Sequence, residues 1–320
     1  VIARFIVKRV AAGLVLLLIL TFVVFALIAI SPGSPIQTLL GTRTPAPELV
    51  AALNDKYHLG EPFLVQYWYW LGDVVRLDFG QSIAVQTGSE VDSLITDRLG
   101  LTLQLALYTV VLTVLIGIPA GMAAGIRHGS RFDRVVSVLT SVVMGAPSYV
   151  LAIIVLYVLG SQLEWFPIYG TGSGFIGRIE HLTLPAFALA LIMAAFVARQ
   201  TRAATLTVMQ QDYVTFARLR GISPARILVR YAFRNSSVPV VTTAGLLLIA
   251  ALSAGVFVER IFSLPGAGSL LLASVTDKDV PVVQGLVLFI GAFVLTINLV
   301  VDLLVLILDP RLRFVARGGA

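Results

Sequence analysis

Six stretches of this 320-residue chain are apolar over roughly 20 residues, the length an α-helix needs to cross a hydrocarbon layer of about 30 Å. They run approximately from Val10 to Ile30, Leu101 to Ala123, Val135 to Leu159, Leu182 to Val197, Val238 to Val258 and Val282 to Leu308. The fourth is the shortest. Hydrophobic residues make up 58% of the chain and charged residues 12%, against about a quarter charged in an ordinary soluble domain. The pattern therefore predicts an all-α integral membrane protein with six transmembrane helices. The first run is far longer than the roughly 7 to 15 apolar residues of a signal peptide, so it reads as a retained span.

The charges divide by topology. With the N-terminus inside, the cytoplasmic segments hold Arg4, Lys8, Arg9, Arg127, Arg131, Arg134, Arg199, Arg202, Arg218, Arg220, Arg226, Arg230, Arg234, Arg311, Arg313 and Arg317, most of the 23 basic residues. The opposite side takes most of the 17 acids, including those between Glu48 and Asp97. This asymmetry obeys the positive-inside rule and predicts a multi-pass protein of the cytoplasmic membrane with both termini cytoplasmic.

Three regions follow. Residues 1–30 form the N-terminal cytoplasmic end and first span, 31–98 an external segment, and 99–320 a core of five spans with a basic loop at 199–235. The external segment is too long for a plain connector and is expected to fold on the membrane surface. Its Glu48 to Tyr57 has helical periodicity, and Tyr67, Trp68, Tyr69 and Trp70 read as interfacial anchors or local packing. In the second span, Gly117, Gly121 and Gly125 form overlapping GxxxG patterns, which let helix backbones approach closely. In the third, Pro147 removes a backbone donor and is expected to kink the helix, with Ser148 able to bond the freed carbonyl. Kinks at mid-depth line translocation paths in many carriers, which makes Met144, Pro147, Ser148 and Tyr149 the pathway candidates.

Much chemistry is excluded. The chain has no cysteine, and its three histidines, His58, His128 and His181, lie far apart without metal-ligand spacing, so no metal site is expected. There is no GxxxxGK[ST], and the lysines Lys8, Lys56 and Lys278 lie in no glycine-rich loop. The motifs GxSxG and HExxH are also absent, which disfavours an intramembrane enzyme. Asp302 and Asn298 are polar residues of the last span, but no chain of ionisable groups forms a proton relay. An ion-coupled carrier or a stand-alone channel is accordingly the weaker reading. If nucleotide energy drives this protein, the ATPase is another subunit.

The loop at 199–235 carries seven arginines and one acid, Asp212. Met209, Tyr213, Phe216, Ala217 and Arg220 recur at three-to-four spacing, and Arg226, Arg230 and Arg234 form a stripe on a second helical segment. Arg218 and Arg220 suit the negative end of the first helix, and Gly221 is placed to be its left-handed terminator. Ser223 and Pro224 then start the second helix as N-cap and first residue. Two helices of this kind fit a groove on a partner protein or rest on anionic membrane lipids. Tethered to the membrane by short links, they are not free to enter a nucleic-acid groove, so no nucleic acid is expected.

The loop YVTFARLRGISPARILVRYAFRNSSVPVVT resembles the EAA-type loop of ATP-binding-cassette (ABC) importer permeases, in particular the DppB/OppB-like subunits of the peptide/nickel group. VERIFSLPGAGSLLLASVTDKDVPVVQGLVLFIGAFVLTINLVVDLLVLILDPRLR, Val258 to Arg313, is similar to the C-terminal third of that group, and ARFIVKRVAAGLVLLLILTFVVFALIAISPG has its N-terminal style. The glutamate and paired alanines that name the loop are not literally present, and the PGDP of many relatives is here PGSP, Pro32 to Pro35. The external segment matches the group only loosely, which leaves substrate identity open.

The resemblance implies a type I ABC importer permease fold. It implies pairing with a second homologous permease, two cytoplasmic ATPase subunits that bind ATP and Mg, and an external substrate-binding protein. This chain itself would be a transport subunit without an ATPase site or cofactor. Tyr213, Ala217, Arg218, Gly221, Ser223 and Arg226 would form the coupling helices seated on the ATPases. Short peptides are the implied cargo, with nickel, glutathione or another small solute as the alternative.

Overall fold

The computed structural model describes residues 2–30, 58, 60–221 and 237–308. Among them the regular elements are ten α-helices, one π-helical segment and a single isolated β-bridge between Gln81 and Glu90. In chain order the helices are α1 (Ile2–Ile30), α2 (Phe63–Val75), α3 (Val91–Ile126), α4 (Arg131–Gly145), α5 (Ser148–Val155), α6 (Gly174–Met209), α7 (Asp212–Leu219), α8 (Ser237–Ile261), α9 (Ala267–Thr276) and α10 (Val280–Leu308). The π-helical segment, Leu156–Gln162, continues α5.

Five helices contain stretches long and apolar enough to span a bilayer: Phe5–Leu27, Val91–Ile126, Gly174–Met209, Thr243–Ile261 and Val280–Val305. The third expected span differs from its sequence reading. Instead of one kinked helix, it consists of α4 and the α5/π segment, bent by 111° at a break, and only if this pair counts as one span is the total six. The cause is local. The ring of Pro147 clashes with helical backbone at the preceding residue, and Ala146 is extended at φ −90°, ψ 138°. Pro147 then occupies the N-cap of α5 without a side-chain capping bond, and Ser148 opens the new helix.

The expected fourth span also grows, from the short apolar run at 182–197 to the 36 residues of α6. Its apolar window is the most buried of the five. A helix packed on several sides by protein tolerates polar ends that a lipid-exposed helix would not, which is why hydropathy alone reads it short.

The chain divides into two compact units, Val1–Gly100 with Ser269–Leu299, and Leu101–Gly268 with Val300–Ala320. In the first, Tyr67 is buried against α1, its hydroxyl donating to the Leu18 carbonyl at 3.2 Å and lying 3.1 Å from the Thr21 hydroxyl. The Tyr67 ring meets Phe22 and Phe25 edge to face. Of the aromatic group, Tyr67 is thus packing, whereas Trp68 is exposed. The expected helix from Glu48 to Tyr57 lies outside the described residues.

The first unit also contains a knot around the buried carboxylate of Asp279. It accepts the Ser82 hydroxyl at 2.5 Å and the backbone N–H groups of Ile83, Ala84 and Val85 at 3.0 to 3.3 Å. These donors belong to a loop that has no secondary-structure partner for them, so one carboxylate satisfies three orphan amides.

In the second unit, α6 is central. Leu182, Leu184, Ala186 and Leu189 pack with Leu101 and Leu105 of α3, Ala152 and Val155 of α5, and Val258, Phe262 and Leu264 at the end of α8. The GxxxG face of α3 packs where the sequence predicts close approach. A β-carbon on Gly117 would lie 2.9 Å from the Ala194 carbonyl oxygen, one on Gly121 would meet the Ala198 carbonyl, and one on Gly125 would lie 2.7 Å from Thr205 Cβ. At the α8 end of this unit, Thr102 donates to the buried Glu259 carboxylate at 2.6 Å and accepts the Ala267 N–H at 2.8 Å.

Candidate coupling site

The close seam between α3 and α6 determines what stands at their ends. With no side chains on Gly121 and Gly125, the last turns of α3 lie directly on Ala198, Thr201 and Thr205. The short turn after α3, residues 127–130, therefore emerges beside α6 one turn from Arg202. Ser130 caps α4 by accepting the Asp133 N–H at 3.2 Å, a regular N-cap bond. Asp133 sits in the first turn of α4, where a carboxylate is favoured by the helix dipole, and its oxygen also accepts the Gly129 N–H at 3.0 Å.

Arg202 completes the arrangement. Its Nε donates to Asp133 Oδ1 at 2.5 Å and its Nη2 to Oδ2 at 2.9 Å, a two-pronged pairing. The Asp133 side chain is only 5% exposed. His128 Nδ1 lies 3.2 Å from the same carboxylate and 3.3 Å from Arg202 Nη2. A protonated Nδ1 donates to Asp133, and a bare one accepts from Arg202.

Two turns beyond Arg202, α6 ends at Met209 and α7 begins at Asp212. α7 contacts α6, and its Val214 is fully buried. Phe216 and Leu219 are 66% and 79% exposed, so α7 presents apolar side chains outward. Gly221 follows at φ +77°, the left-handed conformation expected of a helix terminator, and among the described residues no atom stands within 4 Å of where its β-carbon would be.

Of the sequence candidates, Tyr213, Ala217 and Arg218 thus lie on α7 and Gly221 directly after it, while Ser223 and Arg226 lie outside the described residues. Met144, Pro147, Ser148 and Tyr149 all flank the 111° break. Tyr149 is half exposed, and Met144 Sδ lies 3.9 Å from Arg199 Nη1 of α6. α4 therefore meets α6 at both of its ends, through Asp133 with Arg202 and through Met144 with Arg199.

Sequence reasoning did not find the Asp133–Arg202 pair. Both residues were visible as charges, Asp133 as a lone acid among basic residues, but 69 positions separate them and no spacing rule connects them. Nor did it find Asp279 or Glu259, whose roles depend on which loops fold back onto them.

Two family models cover almost the whole chain. Residues 117–314 match the binding-protein-dependent transport system inner membrane component, and residues 2–106 match the N-terminal region of such membrane components. Over 312 residues the chain is 36% identical to a Brucella abortus (strain 2308) protein whose name places it in a peptide transport system as permease, covering 97% of this chain and 98% of that protein. It is 34% identical over 317 residues to the oligopeptide transport system permease protein AppB of Bacillus subtilis (strain 168), covering 98% and 100%. Among solved structures, the inward-facing MetNI methionine ABC transporter has a similar fold, with a TM-score of 0.55 and 17% identity over 68% of this chain and 96% of that one. By these matches the chain belongs to the binding-protein-dependent transport system inner membrane components, the permease subunits of ABC transport systems.

Proposed function

We propose that this permease carries short peptides into the cell, forming half of a translocation pathway with a second homologous permease. In this reading both termini and α7 face the cytoplasm. An external binding protein delivers the cargo, and two cytoplasmic ATPase subunits, which bind ATP and Mg, drive the cycle. Tyr213, Ala217, Arg218, Gly221, Ser223 and Arg226 form the element that sits on the ATPases.

The observation that carries the reading is α7. It is a short helix with exposed apolar residues, set directly on the end of the most buried helix and closed by a left-handed glycine. A helix so placed moves with α6, so a partner that grips it acts on the packed interior of the second unit. Met144, Pro147, Ser148 and Tyr149 line the path in this account, because the break at Pro147 is where the second unit can change the direction of its backbone with least disruption of helix hydrogen bonds. Peptide cargo rests on the names of the relatives across nearly the full chain.

Co-purification tests the partnership: a tagged chain should bring down ATPase subunits, and transport by the chain alone in liposomes would overturn it. Gly221→Val and Arg218→Glu should leave membrane insertion intact but abolish the stimulation of ATPase activity by loaded binding protein. Normal stimulation in both variants would remove the coupling assignment. Uptake competition among di- and oligopeptides, nickel complexes and glutathione identifies the cargo, and competition by nickel or glutathione alone would replace peptides as substrate.

A further inference from the structure

We infer that the Asp133–Arg202 pair is a positioning device that locks α4 to α6, so that displacement of α7 reaches the break at Pro147. The inference rests on the coupling role proposed for α7 and goes beyond it, because Arg202, although within 199–235, is not one of the six residues placed on the ATPases, and Asp133 belongs neither to them nor to the pathway group.

The geometry supports a rigid link. Two parallel hydrogen bonds from a planar guanidinium fix orientation as well as distance, which a single bond or an apolar contact does not. The carboxylate is held on its other side by the Gly129 N–H and His128, and Ser130 fixes the helix start, so Asp133 is anchored to the first turn of α4. Arg202 stands about two turns before the end of α6 at Met209, after which α7 begins at Asp212. From Asp133 to Met144, α4 is an uninterrupted helix of about 16 Å, which transmits a push at one end to the other. Beyond Met144 the helix hydrogen bonds stop, and Ala146 is extended. α5 packs on a different stretch of α6, around Leu182 to Leu189, so motion of the Arg202 end of α6 relative to that stretch is absorbed at residues 146–147, among the pathway candidates.

Only one partner of this pair is buried, Asp133 at 5% exposure against 27% for Arg202, and a partly exposed ion pair adds little to stability by itself. What it provides is a unique relative register of two helices. A merely stapling role and a transmitting role differ in what their loss does: the first lowers the amount of assembled transporter, whereas the second leaves assembly intact and stops the motion.

This chain has no cysteine, so introduced cysteines place labels at chosen positions in it. Spin labels are placed on the exposed positions Arg131 of α4 and Ile153 of α5 through Arg131→Cys and Ile153→Cys. The complete transporter in liposomes is then compared with and without Mg-ATP. The distance between labels should change on ATP addition in the otherwise native chain. In Asp133→Asn and Arg202→Met the change should be lost while ATPase subunits still co-purify at native levels, and Arg202→Lys should retain part of it.

Survival of the full change in Asp133→Asn or Arg202→Met overturns the inference, as does its absence from the otherwise native chain. Loss of assembly in all three variants also overturns it, because the pair is then a folding staple. Failure of the ATPase to co-purify with the unsubstituted chain instead overturns the coupling reading on which the inference rests, so the two failures are distinguishable.

Discussion

Gly121→Ala is a one-carbon test of how tightly α3 and α6 are joined. A β-carbon at this position would meet the Ala198 carbonyl oxygen, Thr201 Cβ at 2.8 Å and Ala198 Cα at 2.9 Å, where ordinary contact begins at 3.4 Å. Two of these three obstacles are backbone and cannot rotate away, so the helices must separate by roughly half an ångström to one ångström or bend. A gap of that size forfeits about a quarter to a half of the dispersion attraction at each contact it opens, and overpacking of this kind typically costs about 1–3 kcal/mol. Against this stands a helix-propensity gain of about 0.5–1 kcal/mol for replacing glycine by alanine. Gly100 of the same helix isolates that gain, because nothing lies within 4 Å of its would-be β-carbon. Gly100→Ala should therefore be neutral or stabilising, and because the propensity gain is common to both variants they should differ by the overpacking cost alone, roughly 1–3 kcal/mol. Denaturant unfolding of the purified protein in detergent measures the difference. Equal stability of Gly121→Ala and Gly100→Ala would refute the claim that backbone contact between α3 and α6 fixes the second unit.

Thr102→Val keeps the side-chain shape but removes a hydroxyl that both donates to Glu259 and accepts from Ala267. It should destabilise by about 1–3 kcal/mol, with Thr102→Ser recovering most of the loss; an unchanged unfolding midpoint would show the network to be dispensable. Asp279→Ala deprives Ile83, Ala84 and Val85 of their shared acceptor, so amide hydrogen exchange at these residues should rise by about tenfold or more, the equivalent of 1.4 kcal/mol. Exchange confined to native rates there would refute the role of the carboxylate. Tyr67→Phe removes the bonds to Leu18 and Thr21, yet Thr21 still donates to the Leu18 carbonyl at 3.0 Å, so the cost measured by unfolding should lie near 0.5 kcal/mol, at the low end for a hydrogen bond.

The parts of this protein that sequence made legible are those governed by near neighbours along the chain. Apolar length located five spans, four-residue glycine spacing identified the seam of α3, and the run ARLRG placed a left-handed residue at Gly221. Pro147 shows where such reasoning weakens. The lost donor and the clash at Ala146 are local and foreseeable, but whether a helix bends through them or stops depends on what α4 and α5 each pack against, and here each finds a different stretch of α6. The buried charges lie further still from local rules. Asp133, Glu259 and Asp279 are ordinary acids in sequence, and each becomes structural only because a distant segment supplies donors: Arg202 after 69 residues, Thr102 after 157, and the Ser82 loop after 197. A buried carboxylate survives only where such donors converge, so these three positions mark the tertiary contacts that hydropathy cannot reveal. Of the three, only Asp133 bridges to the helix that leads into α7, and this position in the fold is what separates a candidate transmitter of motion from two anchors of loops.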